Sequence, residues 1–212
     1  MDDMSFNGRS ALSYWRMELI SCYITTAKKK AYMIDLPAGD GQIDALSGLP
    51  DPVFEMRTLT ATFKSVERTP QDTIDRLLFE LEGRQVPITA PDNPDYYFVG
   101  TPHVQAASNA PGANITITAI VFPWRYYKQE TVHNIPASAS AVSCLWFNAG
   151  ARSVVPELIV ADANVAISIG SQTYDLAAGS YDMSEFKIPG KSSIAVTVSG
   201  GRLTAKYREA IL

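Results

Sequence analysis

The sequence predicts a mainly β protein: an α+β first domain with one helix on a β-sandwich or split barrel, followed by a small all-β sandwich. Apolar and polar residues alternate along most of the chain, and Gly, Pro, Asn or Asp interrupts the alternation about every 8–12 residues. Hydrophobic residues make up 46% of the 212 residues, which is enough apolar surface for a folded core.

Strands are predicted in the first part of the chain over residues 14–24, 31–36 and 53–66. The last of these is long, and polar residues from Glu55 to Lys64 are interleaved among its apolar ones. We expect a strand of that length to protrude or to pair with more than one neighbour. Residues 37–41 combine Pro, Gly and Asp, which is typical of a turn.

One helix is predicted over residues 69–82. Thr69 suits the N-cap, Pro70 the first turn, and Gly83 the position that follows the last turn. Apolar residues recur between these ends at helical spacing and form one stripe: Ile74, Leu77, Leu78 and Leu81. The stripe indicates that the helix lies on a sheet.

Three further strands follow the helix, over residues 84–90, 95–104 and 113–122. They complete the predicted first domain, residues 1–136. Residues 128–140 are polar and rich in small side chains, so they are predicted to form a linker, with a domain boundary near Pro136. Short strands separated by glycines fill residues 137–212 and predict an all-β sandwich near the lower size limit for an independent core.

Charge and hydropathy argue against nucleic-acid and membrane proteins. The formal net charge of −4 gives no overall attraction to phosphate or anionic lipid. No apolar run approaches the roughly 20 residues of a membrane span, and the first residues lack the features of a signal peptide. We therefore expect synthesis in the cytoplasm. The two cysteines, Cys22 and Cys144, lie in apolar runs and are expected to be buried, reduced thiols.

The residues that carry catalysis are scarce. The two histidines, His103 and His133, do not have zinc-site spacing, and no Gly-x-Ser-x-Gly motif is present to hold a nucleophile. Residues 40–44 carry acids at alternate positions but lack the remaining ligands of a calcium loop, so a tight turn is favoured. We expect no catalytic residue, no metal and no cofactor, and hence a protein that is not an enzyme.

Two aromatic clusters are the most informative feature: residues 96–98 (Tyr-Tyr-Phe) and 124–127 (Trp-Arg-Tyr-Tyr). Neighbouring strand residues point to opposite faces, so consecutive aromatics cannot all enter one core. Three interpretations are open: the same chain covers these side chains, they form a subunit interface, or they stack on sugars. Trp124 and Trp146 support the third interpretation. The candidate interface residues are Tyr96, Tyr97, Arg125 and Tyr126, together with Arg57 and Lys64 of the long strand.

Several motifs, taken in order, resemble the phage distal tail proteins, a siphophage tail-component family. The residues that carry the resemblance are Ser5-Phe6-Asn7-Gly8, Leu36-Pro37-Ala38-Gly39-Asp40-Gly41, Ile43-Asp44, the strand from Met56 to Lys64, Leu81-Glu82-Gly83-Arg84, Tyr96-Tyr97 with Gly100, Phe122-Pro123-Trp124, and the segment from Asn148 to Glu157. Each motif alone is weak, and their shared order over most of the chain carries the resemblance.

The resemblance implies a structural virion protein made in the bacterial host. It implies a homo-hexameric ring, formed by the first domains, that joins the tail tube to the tail tip or baseplate. The ring would surround a channel through which DNA only passes. The second domains, galectin-like by resemblance, would project outward and contact receptor-binding parts.

Two features depart from the family pattern. The usual Gly-Arg pair of the early turn is Gly39-Asp40 here, and the second domain is shorter than the galectin-like modules of larger members. The alternative function is a carbohydrate-binding module that contributes to attachment to the host surface.

Overall fold

A computed structural model describes residues 3–36, 40–49, 51–67, 70–106, 112–161 and 164–212. The chain forms two compact units, residues 1–126 with 212 and residues 127–211. Strands dominate both units, which confirms the predicted mainly β class. The contacts divide the chain after Tyr126, whereas the sequence predicts a boundary near Pro136. The predicted linker contains a regular strand, Thr131–Ile135.

The elements of the first unit are β1 Ser5–Phe6, β2 Arg9–Ser10, β3 Met17–Ile24, β4 Met33–Asp35, β5 Gln42–Asp44, β6 Arg57–Ser65, α1 Pro70–Leu81, β7 Val86–Thr89, β8 Tyr96–Ala106, β9 Asn114–Val121 and β10 Arg125–Tyr127. Seven strands lie side by side in the order β2-β1-β7-β8-β9-β6-β3, with antiparallel pairing throughout. Strand β10 pairs with β8, and β4 and β5 form a separate hairpin.

The first hairpin shows how local sequence fixes register. Asn7 and Gly8 connect β1 to β2, and both have positive φ values, 51° and 74°. A two-residue turn with both central residues in this region matches the twist of antiparallel strands, and Asn-Gly is the sequence that favours it.

The predicted helix is confirmed as α1. Ile74, Leu77 and Leu81 are buried, and Gly83 follows the helix with a φ of 68°. Thr69, the predicted N-cap, lies outside the described residues. The sequence places Leu78 in the apolar stripe, but Leu78 is 42% exposed, so the buried face of the helix is narrower than predicted.

Alternation along β6 and β9 builds the core beneath α1. The inward residues are Leu59, Ala61 and Phe63 on β6 and Ile115, Ile117, Ala119 and Val121 on β9, all fully buried. Burial of a large aliphatic or aromatic side chain stabilises a fold by about 1.5–3 kcal/mol. The register pairs Ala61 with Ile117 and Phe63 with Ile115, so these side chains form one continuous layer.

The elements of the second unit are β11 Thr131–Ile135, β12 Ser138–Asn148, β13 Glu157–Val160, β14 Val165–Ile169, β15 Gln172–Leu176, β16 Gly179–Asp182, the one-turn 3-10 helix Ser184–Phe186, β17 Ser192–Gly200, β18 Leu203–Tyr207 and β19 Ala210–Ile211. Two four-stranded sheets form in the orders β11-β18-β13-β16 and β12-β17-β14-β15. Their inward residues share a core around Trp146, Phe186 and Ile167, which confirms the predicted all-β sandwich.

Candidate functional site

Four candidate interface residues come together at one end of the large sheet. The rings of Tyr97 and Tyr126 stack with centroids 5.7 Å apart, and the guanidinium carbon of Arg125 lies 5.5 Å from the centroid of Tyr96. Arg125 also donates from Nε to the backbone oxygen of Leu212 at 3.1 Å. All four side chains are half-buried. They form a partly covered aromatic surface, which we call the tyrosine cluster.

Arg57 lies at the same end of the sheet but is held from within the unit. Its Nε donates to the backbone oxygen of Thr25 at 2.6 Å, and its guanidinium carbon lies 5.2 Å from the centroid of Phe98. Burial lowers the pKa of Arg57, and the nearby positive charge of Arg125 lowers it further. These contacts tie the start of β6 to the chain that follows β3.

Lys64 is exposed near the opposite end of β6, where it pairs in register with Glu18 of β3 and Asn114 of β9. It is therefore separate from the tyrosine cluster.

The aromatic residues that would stack on sugars are covered. Trp124 is 6% exposed and meets Phe54 edge to face at 5.3 Å, and Trp146 is fully buried. Phe98 is buried too. The interpretation of Trp124 and Trp146 as stacking platforms is wrong, because neither offers an open ring face.

A second surface, which the sequence interpretation missed, is a long excursion between β3 and β6. The described residues of this excursion, 25–36, 40–49 and 51–56, leave the sheet as two antiparallel legs that contain the strands β4 and β5, and we call them the arm. The backbone N–H of Lys30 donates to the backbone oxygen of Val53 at 2.8 Å, and the backbone N–H of Glu55 donates to the backbone oxygen of Lys28 at 2.8 Å. The arm is thus a hydrogen-bonded β-ribbon and not an irregular loop.

The arm exposes a series of apolar side chains, each between 39% and 63% exposed: Tyr32, Met33, Ile34, Leu36, Ile43, Leu49 and Met56. Met33 and Ile34 are adjacent in β4 and so point to opposite faces of the ribbon. An isolated two-stranded hairpin is marginally stable in water. The sequence signal was the consecutive Tyr-Met-Ile, which breaks the alternation expected of a strand with one wet face.

Acidic residues near the arm's hairpin act as turn formers. Asp44 Oδ1 accepts the backbone N–H groups of Tyr32 and Leu46, both at 3.0 Å, and these hydrogen bonds lower the pKa of Asp44. Among the residues that the structure describes, no three His, Cys, Asp or Glu side chains are grouped as metal ligands would be.

The two histidines lie in different units and have structural partners. His103 is exposed and its Nδ1 contacts Oε1 of Glu82, which also accepts the N–H of Val104 through its other oxygen. His133 belongs to β11, not to a linker. Its ring stacks on Trp146 and Tyr207 at 5.9 and 5.7 Å, and its Nε2 lies 3.0 Å from the hydroxyl of Tyr207.

Acidification from pH 7.5 to 5.5 is expected to destabilise the second unit. Burial lowers the pKa of His133 below its ordinary value of about 6.5, so the unfolded chain takes up this proton at a higher pH than the folded unit. The corresponding stability is complete above about pH 6.5 and declines as the pH falls. Hydrogen exchange of the β17 amides would measure it. A His133→Phe variant that loses as much stability on acidification as the wild type would contradict this assignment.

Both cysteines are half-buried and free. Burial raises the pKa of Cys22 to about 11, with a smaller contribution from the charge of Asp92, and burial also raises the pKa of Cys144. Thiols of this kind carry little thiolate at neutral pH, so they are poor nucleophiles. The described residues contain no helix with the length and apolarity that a membrane span requires.

The fold is similar to one that has been solved for a phage protein. The chain superimposes on the crystal structure of the SPP1 Dit (gp 19.1) protein, described as a paradigm of the hub adsorption apparatus in phages that infect Gram-positive bacteria, with a TM-score of 0.68. The similarity covers 99% of each chain at 14% sequence identity. No family model matches the sequence, and neither does any curated protein. The comparison establishes a shared fold across both units.

Proposed function

We propose that this chain is a structural subunit of a phage virion, a distal tail protein that forms a homo-hexameric ring between the tail tube and the tail tip or baseplate. The full-length similarity to a phage hub protein supports this role, together with the sequence motifs in shared order. The single observation that supports association between copies is the exposure of the arm, whose apolar residues lie open on both faces of a thin ribbon.

A ring requires contacts between different surfaces on neighbouring copies. A head-to-tail contact closes into a ring when its rotation is an integral fraction of a full turn. The arm is one such surface. It extends from one end of the large sheet, and no other part of the described chain covers its apolar residues. We propose that the first unit, which ends at Tyr126, supplies the ring contacts.

The candidate interface residues keep their proposed roles within this ring. The tyrosine cluster lies beside the base of the arm, where Arg57 joins β6 to Thr25. Half-buried tyrosine and arginine are favoured anchors of protein interfaces, because they combine a large apolar area with hydrogen-bonding groups. Lys64 would contribute to the opposite side of the subunit.

The second unit, by this proposal, faces outward and contacts the tail-tip, tail-associated or receptor-binding proteins. The role is mechanical, without catalysis, and the protein would be made in the host cytoplasm before assembly into the virion. Six copies at −4 each would carry about −24, a charge that keeps passing DNA from adhering to the channel. This hypothesis fails if the residues that line an assembled channel prove to be mainly Lys and Arg.

Substitution of Ile34 by Asp is expected to abolish association of copies while leaving the fold intact. At micromolar concentration, alone or with tail-tube or tail-tip protein, wild-type chains should form a species several times 23.1 kDa. A charge placed on the exposed ribbon would have to be buried in the contact, which should weaken association at least ~100-fold. Light scattering and sedimentation velocity measure the mass directly.

Val132→Asp is the matched control, because Val132 is 44% exposed on a strand of the second unit and Ile34 is 48% exposed on the arm. The control should assemble like the wild type. Equal loss of assembly in both variants would show that the arm has no special part in it.

A further inference from the structure

The strand β12, Ser138–Asn148, forms an open edge of the second unit. It ends the sheet order β12-β17-β14-β15, so among the described residues only one side of its backbone has a neighbouring strand. Such an edge is a template on which a further strand can pair. Proteins commonly protect an edge by keeping it short or by placing a charged residue or a proline on it. None of the eleven residues of β12 is charged or a proline.

The other edge strands are short or charged. The strands β15 and β16 have five and four residues and carry Asp175 and Asp182, and β11 has five residues. In the first unit, β3 carries Glu18. The register of β12 with β17 shifts before Val142, but the seven residues from Val142 to Asn148 pair without a break. In the described part of the chain, β12 therefore has the longest regular uncharged edge.

Two large apolar side chains lie on the outer face of β12. Leu145 is 67% exposed and Phe147 is 54% exposed, whereas Trp146 between them is fully buried in the core of the sandwich. The residues opposite Leu145 and Phe147 on β17 are Ala195 and Ser193, whose side chains are too small to cover them. A strand added at the free edge would lie directly beside Leu145 and Phe147 and cover them.

The seven regular residues of β12 are complementary to themselves in antiparallel register. Their midpoint is Leu145, so a two-fold axis at this residue places Leu145 of one copy opposite Leu145 of the other. The same register places Phe147 opposite Ser143, whose small side chain leaves room for the aromatic ring, and on the inner face it places Trp146 opposite Cys144. Leu145 and Phe147 are diagonal neighbours across the axis, so the four side chains of two copies form one apolar strip.

We propose that β12 pairs with β12 of a second copy around a two-fold axis at Leu145, which joins two four-stranded sheets into one continuous sheet. Backbone hydrogen bonds hold the two edges together, and burial of the apolar strip adds to them. The contact is isologous, since the same residues serve on both copies. It is separate from the proposed head-to-tail ring and joins chains of two rings or chains outside a ring.

The contact is expected to be weak in solution. Two paired strands of this length bury less than the about 1,600 Å² of a standard interface, so we expect a dissociation constant of about 0.1–1 mM. At micromolar concentration the edge stays unpaired, so the contact does not change the mass expected for Ile34→Asp.

A cysteine at the axis tests the register. Residues directly opposite in an antiparallel pair have Cα atoms about 4.5–5.5 Å apart, which suits a disulfide. At about 0.2 mM chain and on mild oxidation with diamide, Leu145→Cys is expected to form at least ~10-fold more disulfide dimer than Ser143→Cys. Ser143 lies on the same face of β12 but opposite Phe147, so the introduced thiols of this control stay apart.

A mixture of variants tests the neighbouring pair of the same register. Ser143→Cys mixed with Phe147→Cys is expected to cross-link as efficiently as Leu145→Cys, because the register places these two positions opposite each other. Peptide mass mapping of the dimers identifies the joined positions. The wild type is the blank for the native thiols of Cys22 and Cys144.

Leu145→Lys tests the contact without a cross-link. In the Ile34→Asp background, sedimentation velocity at about 0.5 mM is expected to show dimers. Leu145→Lys places two like charges at the axis and should weaken these dimers at least ~10-fold. Val132→Lys is the matched control, since Val132 is also an exposed apolar residue on an edge strand of the second unit.

Equal cross-linking of Leu145→Cys and Ser143→Cys overturns the two-fold contact. Protection of the β12 amides from hydrogen exchange only when tail-tip protein is added overturns it too, and assigns the edge to a strand of another protein. A head-to-tail ring never places a residue opposite itself, so either result leaves the proposed ring standing. Absence of rings together with the Leu145→Cys cross-link overturns the ring alone.

Discussion

Replacement of Asn148 by Ala is expected to lower the free energy of unfolding of the second unit by about 3 kcal/mol. Asn148 is a fully buried polar residue at the end of β12. Its Nδ2 donates to the backbone oxygens of Arg152, Ile188 and Pro189 at 2.7, 3.2 and 3.2 Å, and its Oδ1 accepts the N–H of Gly150 at 2.9 Å.

The size of the effect follows from which groups lose this amide. The carbonyl of Ile188 also accepts the N–H of Val154 at 3.0 Å, so it keeps a donor after the substitution. The buried N–H of Gly150 loses its acceptor, at about 1–3 kcal/mol for a buried group left unsatisfied, and the carbonyls of Arg152 and Pro189 each lose one donor. Partial access of water to the less buried groups reduces the sum.

Denaturant titrations of the wild type and the variant, followed by hydrogen exchange of the β12 and β17 peptides, measure this difference. Asn134→Ala is the control, since Asn134 is exposed and its side-chain oxygen accepts a hydrogen bond from the hydroxyl of Thr204 at the surface. Its effect should stay within about 0.5 kcal/mol. A variant at Asn148 as stable as that control would contradict the structural role of the buried amide.

Replacement of Gly100 by Ala is expected to destabilise the first unit by about 3 kcal/mol. Gly100 lies in β8 opposite Val121 of β9. A Cβ at this position would lie 2.5 Å from Cγ1 of Val121, 2.6 Å from the backbone oxygen of Ile120 and 2.8 Å from Cα of Val121. Two of these atoms belong to the backbone of the neighbouring strand, which moves only if the sheet itself distorts.

Gly48→Ala is the matched control for Gly100, because a Cβ at Gly48 meets no atom within 4 Å. We expect it to be neutral within about 0.5 kcal/mol, or slightly stabilising through the unfolded state. Thermal and denaturant unfolding of the two variants provides the comparison. If Gly100→Ala were as stable as Gly48→Ala, the sheet would have to accommodate the added Cβ without loss of free energy of unfolding, and the prediction would be wrong.

Local signals in the sequence predicted the helix well. The boundaries of α1 are set by residues that act on their own neighbours, Pro70 in the first turn and Gly83 after the last. The same kind of signal is present in Asn7-Gly8, whose positive φ values make the β1–β2 hairpin. That hairpin was therefore predictable from turn chemistry.

Non-local pairing explains most of what was missed. Strand β11 is polar and short, and it is a strand because its backbone pairs with β18, about seventy residues later in the chain. A linker and such an edge strand have the same composition. The long predicted strand 53–66 is shortened to β6 because its first residues belong to the arm, which pairs with residues 28–30 instead of the sheet.

The sequence named the residues of the tyrosine cluster but not the contacts between them. Tyr97 stacks on Tyr126 and Arg125 lies near the ring of Tyr96, so these contacts cover part of each ring, and the role of the cluster as an interface stays a prediction. The exposure of Ile34 and Phe79 could not be derived from periodicity, since an apolar residue at a regular position predicts burial. Exposure of this kind depends on what the rest of the fold leaves uncovered.

Electron microscopy of the purified wild-type chain, alone and mixed with tail-tube or tail-tip protein, tests the central claim most directly. The claim is that the exposed apolar arm is covered by another copy of the same chain. The expected result is a population of rings with six-fold symmetry and a central opening. Isolated particles of one chain in every mixture would contradict it.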